Sequence, residues 1–431
     1  MRGERLRYFL RGYNHACVGD IRTLKGSKDN SAEALRTLER SGMQSAHGAD
    51  DPSRRPGRVP TWTRWAGDFS GAYADLGTFL PLIVGMFAVQ QLDPAGVLVG
   101  FGVFALATAL IYRRPVPVQP MKVVAAVVIA GGLSASEVAA TGVLLGVVLC
   151  VLAAIGAVGR LGRHIPHTVL SGIQLGVGLY LIWGGIKLGM QQPAVGLIAL
   201  AGLLLLQRTR FRPLAALLVV LCAGVWGAVQ ADVVWPGVTL GLSLPQLQVP
   251  DLGSLWVSAQ GVLLPQLALT LTNATLVTAA IAADLFPHDR ERITPDRLAW
   301  SSGALNLVLA PFGGFPMCHG AGGLVVQHKF GARTGLAPAI FGVTCLALGL
   351  FLGPHALDLL AILPMAAIGA LLIPAGIDLA VSKRLRRASP DRLLVIVLTG
   401  VTCVVVNVAV GLLAGIALEG LRILLTRRHT T

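Results

Sequence analysis

From Trp65 to Leu425 the chain is a series of apolar runs, each near 20 residues, parted by short polar connections. A helix rises about 1.5 Å per residue, so each run matches the roughly 30 Å hydrocarbon core of a bilayer. Such runs are helices there, because lipid offers backbone N–H and C=O groups no partner. Composition agrees, with 54% hydrophobic and only 13% charged residues, against about a quarter charged in soluble domains. The chain reads as an all-α polytopic membrane protein. Its net charge of +14 then marks membrane topology rather than nucleic-acid binding.

The apolar pattern places fourteen transmembrane segments, at about 66–89, 94–112, 115–133, 137–158, 166–187, 193–207, 213–230, 257–283, 296–311, 312–330, 336–352, 356–377, 393–407 and 409–426. Of the 22 Lys and Arg after residue 65, 20 fall at one set of alternate ends. These include Arg113 and Arg114, Arg160 and Arg163, Arg208 to Arg212, Arg290 to Arg297, Lys329 and Arg333, Lys383 to Arg392, and Arg422 to Arg428. The positive-inside rule makes those ends cytoplasmic, with both termini inside the cell's inner membrane. The opposite connections, such as Gly131–Glu137 and the extracytoplasmic loop 231–256, carry no basic residue. Lys187 lies near an outer helix end, where it can snorkel. Residues 1–64 hold 13 Lys/Arg and 7 Asp/Glu and read as a disordered basic cytoplasmic tail. Met43 is a candidate start, an expectation that N-terminal sequencing of native protein refutes by finding earlier residues. Six isolated cysteines without CxxC spacing suggest neither a disulfide framework nor a metal cluster.

Two segments are broken in matching places. In RRPVPVQPMKVVAAVVIAGG, three prolines at 115, 117 and 120 forbid a helix before Pro120. The helix that follows is about 14 residues, or roughly 21 Å, too short to span. In PFGGFPMCHGAGGLVVQHKF an extended, proline-marked piece again precedes a short helix, from about His319 to Phe330. Extended backbone at that depth is tolerated only within protein or beside a cavity. The breaks are the third and tenth segments, seven apart, so residues 65–230 and 257–427 read as a 7+7 inverted repeat. Two half-helices then meet at mid-membrane, each with a partly positive N-terminus. Paired ends of this kind suit an anion.

Several side chains stand out within the apolar runs. Gly320, Gly322 and Gly323 remove bulk, so N–H groups can approach a small ligand. Lys122 begins the first half-helix, and an intramembrane charge is a functional candidate. Asp75 lies inside the first segment with Thr78 and Pro81 on neighbouring turns; coupling or a structural pair with Lys122 are its two readings. His319 suits ligand contact, proton handling or a local structural hydrogen bond. Cys318 reads foremost as core filling. Asn273 and Gln266 lie in the eighth segment, and Gln174 in the fifth.

GAYADLGTFLP, PVPVQPMK, NATLVTAAIAADLFP and FPMCHGAGGLVVQHKFGARTG resemble the molybdate transporter family, a distant relative of the sulfate permeases. The likeness covers about residues 66 to 427, through Asp75–Thr78, Pro117–Lys122 and Pro316–Gly323 with Gln327 and Arg333. It implies fourteen spans, with a core domain of segments 1–4 and 8–11 and a gate domain of 5–7 and 12–14. It implies a tetrahedral oxyanion, molybdate or a close analogue, imported by secondary active transport. Substrate-binding candidates are then Gln119, Met121, Lys122, Cys318, His319, Gly320, Ala321, Gly322, Gly323, Thr78 and Asn273. Coupling candidates are Asp75 and His319, with protons as the coupled cation.

Alternatives stay open at this level. Nothing in the residues reads oxygen spacing, so sulfate rivals molybdate. A membrane receptor that binds the anion without moving it is a second class; the sequence has no stretch that reads as a soluble output domain. No nucleophile–base or metal-ligand spacing suggests an enzyme, a metal or a cofactor. Expected partners are the oxyanion and membrane lipid, not nucleic acid, with a homodimer as an option.

Overall fold

Two short extended pieces, one from each broken segment, pair with each other and are buried. The computed structural model describes residues 61–428 apart from 91, 210, 212–213, 231–240, 356–361 and 382. The expectations for residues 1–60, for Arg210 and Arg212, for most of the first half of loop 231–256 and for the start of the twelfth segment lie outside the described residues.

The first half runs α1 (Thr61–Ala72), α2 (Leu76–Gln90), α3 (Pro94–Tyr112), β1 (Gln119–Pro120), α4 (Lys122–Ile129), α5 (Ala135–Ala154), a short α6 (Val158–His164), α7 (His167–Gly189), α8 (Pro193–Leu206) and α9 (Ala215–Gln230). The second runs α10 (Leu252–Leu285), α11 (Pro295–Leu309), β2 (Met317–Cys318), α12 (Ala321–Lys329), α13 (Leu336–Leu352), α14 (Met365–Ala380), α15 (Pro390–Val405) and α16 (Val408–Arg428). Among the described residues, six helices, counting α1–α2 as one run, are long and apolar enough to cross a membrane, and α8, α9, α13 and α14 are shorter apolar helices. The protein is a mostly helical, multi-pass membrane protein.

Local chemistry sets the helix ends. Asp93 accepts from the N–H groups of Ala95 and Gly96, and Pro94 follows as the first residue of α3, a position where proline's missing N–H costs nothing. Ser134 and Glu137 form a reciprocal capping box on α5. Asp251 starts α10 by accepting from Ser254 N–H at 2.7 Å, and its hydrogen bonds from Ser254 hold its carboxyl below the usual carboxylate range. Gly131 and Gly331 adopt φ of 83° and 105° just beyond α4 and α12, the left-handed conformation that ends helices at glycine.

Three expectations change. The first segment is not one helix: the chain turns at Tyr73–Asp75 between α1 and α2. The half-helices are shorter than the sequence suggests, eight residues in α4 and nine in α12. Pro120 and Cys318 are extended and paired, so neither helix starts until that ladder ends. Segment eight, expected as a plain helix, carries two wide π-helical stretches at Ala259–Leu263 and Thr270–Val277. Such bulges recur at functional sites.

The helices pack as two groups. In one, α3 packs on α13, α5 on α11, α1 on α13 and α10 on α5. In the other, α7 packs on α14 and α15, α8 on α14 and α9, and α16 on α15. The α7–α14 crossing relies on glycines seven apart on each helix, Gly178 and Gly185 against Gly376 and Gly369. A Cβ on Gly178 would fall 2.5 Å from the Gly376 carbonyl. Small residues permit such close approach, which gives membrane helices much of their attraction.

Ends assigned to one side of the membrane also meet in space. On the arginine side, Arg114 pairs with Asp289 at 2.6 Å and donates to the Arg333 carbonyl, and Asp68 accepts from Arg333 and Thr334 N–H. On the opposite side, Ser243 N–H donates to Leu350 and Gln248 N–H to Pro311, and Ser136 bonds Ser254.

Candidate functional site

β1 and β2 are antiparallel, with Gln119 opposite Cys318 and Pro120 opposite Met317. Met121 N–H adds a bond to the Pro316 carbonyl at 2.9 Å. The prolines that break each segment thus leave backbone groups that the other segment satisfies. Asn306 on α11 clamps β2 from behind, donating to the Met317 carbonyl at 2.7 Å and accepting from Met317 N–H at 2.8 Å.

His319 ties the two breaks together. The Pro117 carbonyl, 3.1 Å from Nδ1, can only accept, so Nδ1 carries the proton. Nε2 faces Ser301 Oγ at 2.9 Å, and Ser301 bonds Tyr112 at 2.7 Å. Phe104 and Tyr112 meet the ring edge to face. The side chain is fully buried, with both nitrogens engaged.

A cavity opens beside the starts of α4 and α12. Its walls are Gln119, Lys122, Cys318, Gly320 and Asn273, with Gln174 from α7, Gln266, Leu269, Thr270 and Ala274 from α10, and Leu379 from α14. It lies between the two helix groups. A second cavity, lined by Asp93, Gln248 and Gly313 among others, is away from both half-helix starts; its carboxylate is already spent in capping α3.

Two polar side chains attend the half-helix starts, each from the opposite half of the chain. Gln266 Oε1 accepts from Val123 N–H in the first turn of α4 at 2.9 Å, and its Nε2 donates to Thr270 at 3.0 Å. Asp75, at the head of α2, reaches the first turn of α12, where a Cβ on Gly323 would lie 2.7 Å from its Oδ2. Asp75 accepts a hydrogen bond from Gln119 Nε2, and Thr78 on the next turn is its other side-chain partner. No ion pair within 4 Å joins Lys122 to Asp75 among the described residues, nor does the Lys122 ammonium make a hydrogen bond among them.

The glycines divide. A Cβ on Gly320 would coincide with the Gln119 amide oxygen, and one on Gly323 would press Asp75, Pro117 and Gln119. Gly322 has nothing within 4 Å of an added Cβ and is exposed. Two of the three glycines therefore make room for protein side chains. Of the sequence candidates, Gln119, Lys122, Cys318, Gly320 and Asn273 wall the cavity. Thr78 and Asp75 stand behind Gln119. Met121 is buried in the core, Ala321 and Gly323 are buried in the first turn of α12, and His319 points away to Ser301. Thr270, Asn306, Ser301 and Tyr112 carry the site without a motif of their own; Gln266 and Gln174 are visible in the sequence only as rare amides within apolar runs.

The arrangement can hold an anion. Neither half-helix has a capping side chain at its N-cap, the two positive ends converge, and a lysine ammonium lines the same space.

Residues 67–181 and 258–379 match the family described as molybdate transporter of the MFS superfamily. "Molybdate transporter 2" of Arabidopsis thaliana is 29% identical over 401 residues, 81% of this chain and 86% of that protein. "Molybdate transporter 1" of Chlamydomonas reinhardtii is 28% identical, over 83% of this chain and 91% of that protein. In fold, the chain is similar to the transmembrane domain of a cyanobacterial bicarbonate transporter, BicA, at a TM-score of 0.60 and 18% identity, covering 82% of this chain and 97% of that one. It is likewise similar to the murine solute carrier 26 family member A9 anion transporter in its inward-facing state, at a TM-score of 0.62 and 14% identity over 98% of this chain and 75% of that one. Two stretches matched across more than half its length place the chain in the molybdate transporter family.

Proposed function

We propose that this anion transporter imports molybdate by secondary active transport coupled to protons. The observation that carries the reading is the cavity between two converging half-helix N-termini, walled by a Lys122 ammonium that has no hydrogen-bond or ion-pair partner among the described residues. Sulfate is the secondary substrate to test, since a "probable sulfate transporter" of Mycobacterium tuberculosis is 28% identical over 47% of this chain. Molybdate takes precedence because the relatives of that name match over most of the chain.

The element packing supports fourteen segments in a 7+7 inverted repeat. Exchanging each segment for the one seven later maps α3–α13 onto α11–α5, α8–α14 onto α15–α7, and α2–α9 onto α10–α16, and all six contacts occur. The α7–α14 and β1–β2 contacts map onto themselves. On this reading the group holding both half-helices is the core, the group around α7 and α14 is the gate, and the cavity between them is exposed to each side in turn. The arginine-rich ends face the cytoplasm of a bacterial-type inner membrane, with both termini inside.

Moving a dianion inward against 100 mV, inside negative, costs about 4–5 kcal/mol. A coupled cation offsets this. Asp75 is the proton site, one hydrogen bond from Gln119 on the cavity wall. His319, engaged at both nitrogens, is a strut that locks the two breaks. Replacing His319 with Gln lowers thermal stability and leaves the pH dependence of uptake in place; loss of that dependence returns His319 to the coupling path. The reading as a whole is tested by radiolabelled molybdate flux into proteoliposomes, with and without an inward proton gradient, competed by tungstate and sulfate. Saturable, gradient-driven flux that tungstate suppresses more strongly than sulfate is expected. Binding without flux would make the chain a receptor.

A further inference from the structure

The amide of Gln119 is buried, 1% exposed, and only half satisfied. Its Nε2 donates to Asp75. Its Oε1 has no hydrogen-bond partner among the described residues and lies against Gly320, the N-cap of α12, on the cavity wall. A buried amide oxygen left unpaired is costly, so its orientation needs a reason. Asp75 supplies one. An ionised carboxylate can only accept, so it holds the Nε2 side of the amide. The oxygen is then what Gln119 turns toward the start of α12. An anion there meets a lone pair where it needs a donor.

We propose that Gln119 is an amide switch set by the proton on Asp75, and this rests on the oxyanion reading above. When Asp75 takes up a proton, its carboxylic O–H donates to Gln119 Oε1, and the amide turns over about its terminal torsion. Oε1 gains a partner, and the two Nε2 hydrogens face the cavity beside Lys122 and the first turn of α12. The anion now receives donors from Gln119, Lys122 and the helix end. Loss of the proton returns the oxygen to the cavity and weakens the anion. Proton and anion thereby bind with positive coupling, which is what symport requires.

Geometry favours this place for the switch. Gly320 is open where Oε1 sits, and any side chain there would jam the amide. Among groups that act on Asp75, Lys122 on α4 is charged, and Gln119 and Thr78 are neutral. The other elements around α2 bring titratable groups that are placed elsewhere: Asp68 of α1 is held by Arg333 and Thr334, Cys222 of α9 is exposed, and Asp378 of α14 has interactions of its own. Beside the ladder, Tyr73 bonds Thr344, His319 is held by Pro117 and Ser301, and Cys318 lines the cavity.

The test is equilibrium binding of radiolabelled molybdate to the purified full chain between pH 6 and 8, repeated with labelled sulfate. Wild type is expected to lose affinity by up to about tenfold per pH unit where Asp75 titrates, as one linked proton requires. Gln119→Met keeps the volume and removes the switch; weaker binding with a flat pH profile is expected. Asp75→Asn, read in parallel in case Gln119→Met fails to fold, lets the amide pair turn freely. It is expected to bind across the whole range as tightly as wild type does at the lowest pH, with no slope. A Gln119→Met protein that keeps the wild-type slope, or an Asp75→Asn protein that loses binding at every pH, overturns the switch and leaves the oxyanion site standing. Wild type that binds neither anion overturns the site and the switch together.

Discussion

The starts of α4 and α12 share a shape and differ in chemistry. Both are short helices that follow an extended proline-marked piece, and the two pieces form one ladder. The α4 start is furnished with side chains: Lys122 is its first residue, and Gln266 occupies the Val123 N–H. The α12 start is stripped of them, with glycines at 320, 322 and 323 and no side-chain cap. One end brings a full charge, and the other brings bare backbone with a carboxylate and an amide folded against it. A repeat that duplicates backbone need not duplicate chemistry. The proposed coupling draws on both ends, the Lys122 ammonium from one and the Asp75 carboxylate from the other.

Removing the charge should break the comparison most severely. Lys122→Ala leaves the α4 start with part of its N–H complement already spent on Gln266. A charge-assisted hydrogen bond contributes about 1.5–3 kcal/mol, and without it uptake of labelled molybdate is expected to fall by about ten- to 150-fold, with membrane expression and gel-filtration profile unchanged. Uptake within threefold of wild type would sink the site assignment. Next in size is Gly320→Ala. The new methyl would occupy the space of the Gln119 amide oxygen, and overpacking costs about 1–3 kcal/mol. Displacing Gln119 by an ångström is expected to lower uptake by about a hundredfold at most, with a measurable loss of thermal stability. Unchanged flux would show that Gln119 need not lie where it does.

What the sequence made legible follows from what each signal depends on. Apolar runs and two proline-marked breaks are local signals, and the helices and the ladder agree with them. Lys122, Asn273 and Gln266 stand out in the sequence because charges and amides are rare in lipid-length runs, Gly320 stands out by its place just after a proline-marked break, and Gln119 comes only with the family resemblance. The break at Tyr73–Asp75 was not, since GAYADLG carries no proline and its apolar average stays high. The π stretches of α10 were hidden too, although Pro265 lies between them. Asn306 and Ser301 look like ordinary packing residues, and only their distance to Met317 and His319 reveals them. The glycine motif was read as access for a ligand, whereas the space at Gly320 and Gly323 belongs to side chains more than 200 residues earlier in the chain. Sequence patterns report what a segment avoids; they do not report which distant group fills the gap.

A milder change probes the furnished end. Gln266→Leu keeps bulk and removes the acceptor for Val123 N–H. A buried N–H left unpaired costs about 1–3 kcal/mol, so the melting temperature falls. Affinity for molybdate is expected to stay within about threefold, because Lys122, not this N–H, carries the attraction. A loss as deep as that of Lys122→Ala would mean that Gln266 holds the anion directly, and the α4 start would then depend on α10 for its chemistry.

The smallest effect is expected at the stripped end, at Gly322. A methyl group there meets nothing within 4 Å, and alanine is the better helix former by about 0.5–1 kcal/mol. Gly322→Ala should therefore melt slightly higher and transport within about twofold of wild type, the range in which surface changes away from any packed feature fall. Set beside Gly320→Ala, it separates two explanations of one motif. If the glycines exist so that an anion can approach the α12 backbone closely, both substitutions should impair uptake. If they exist to seat Gln119 and Asp75, only the position under the amide should matter. A strong defect at Gly322 with normal folding would place the anion directly over the second residue of α12 and would return the motif to the role its sequence suggests.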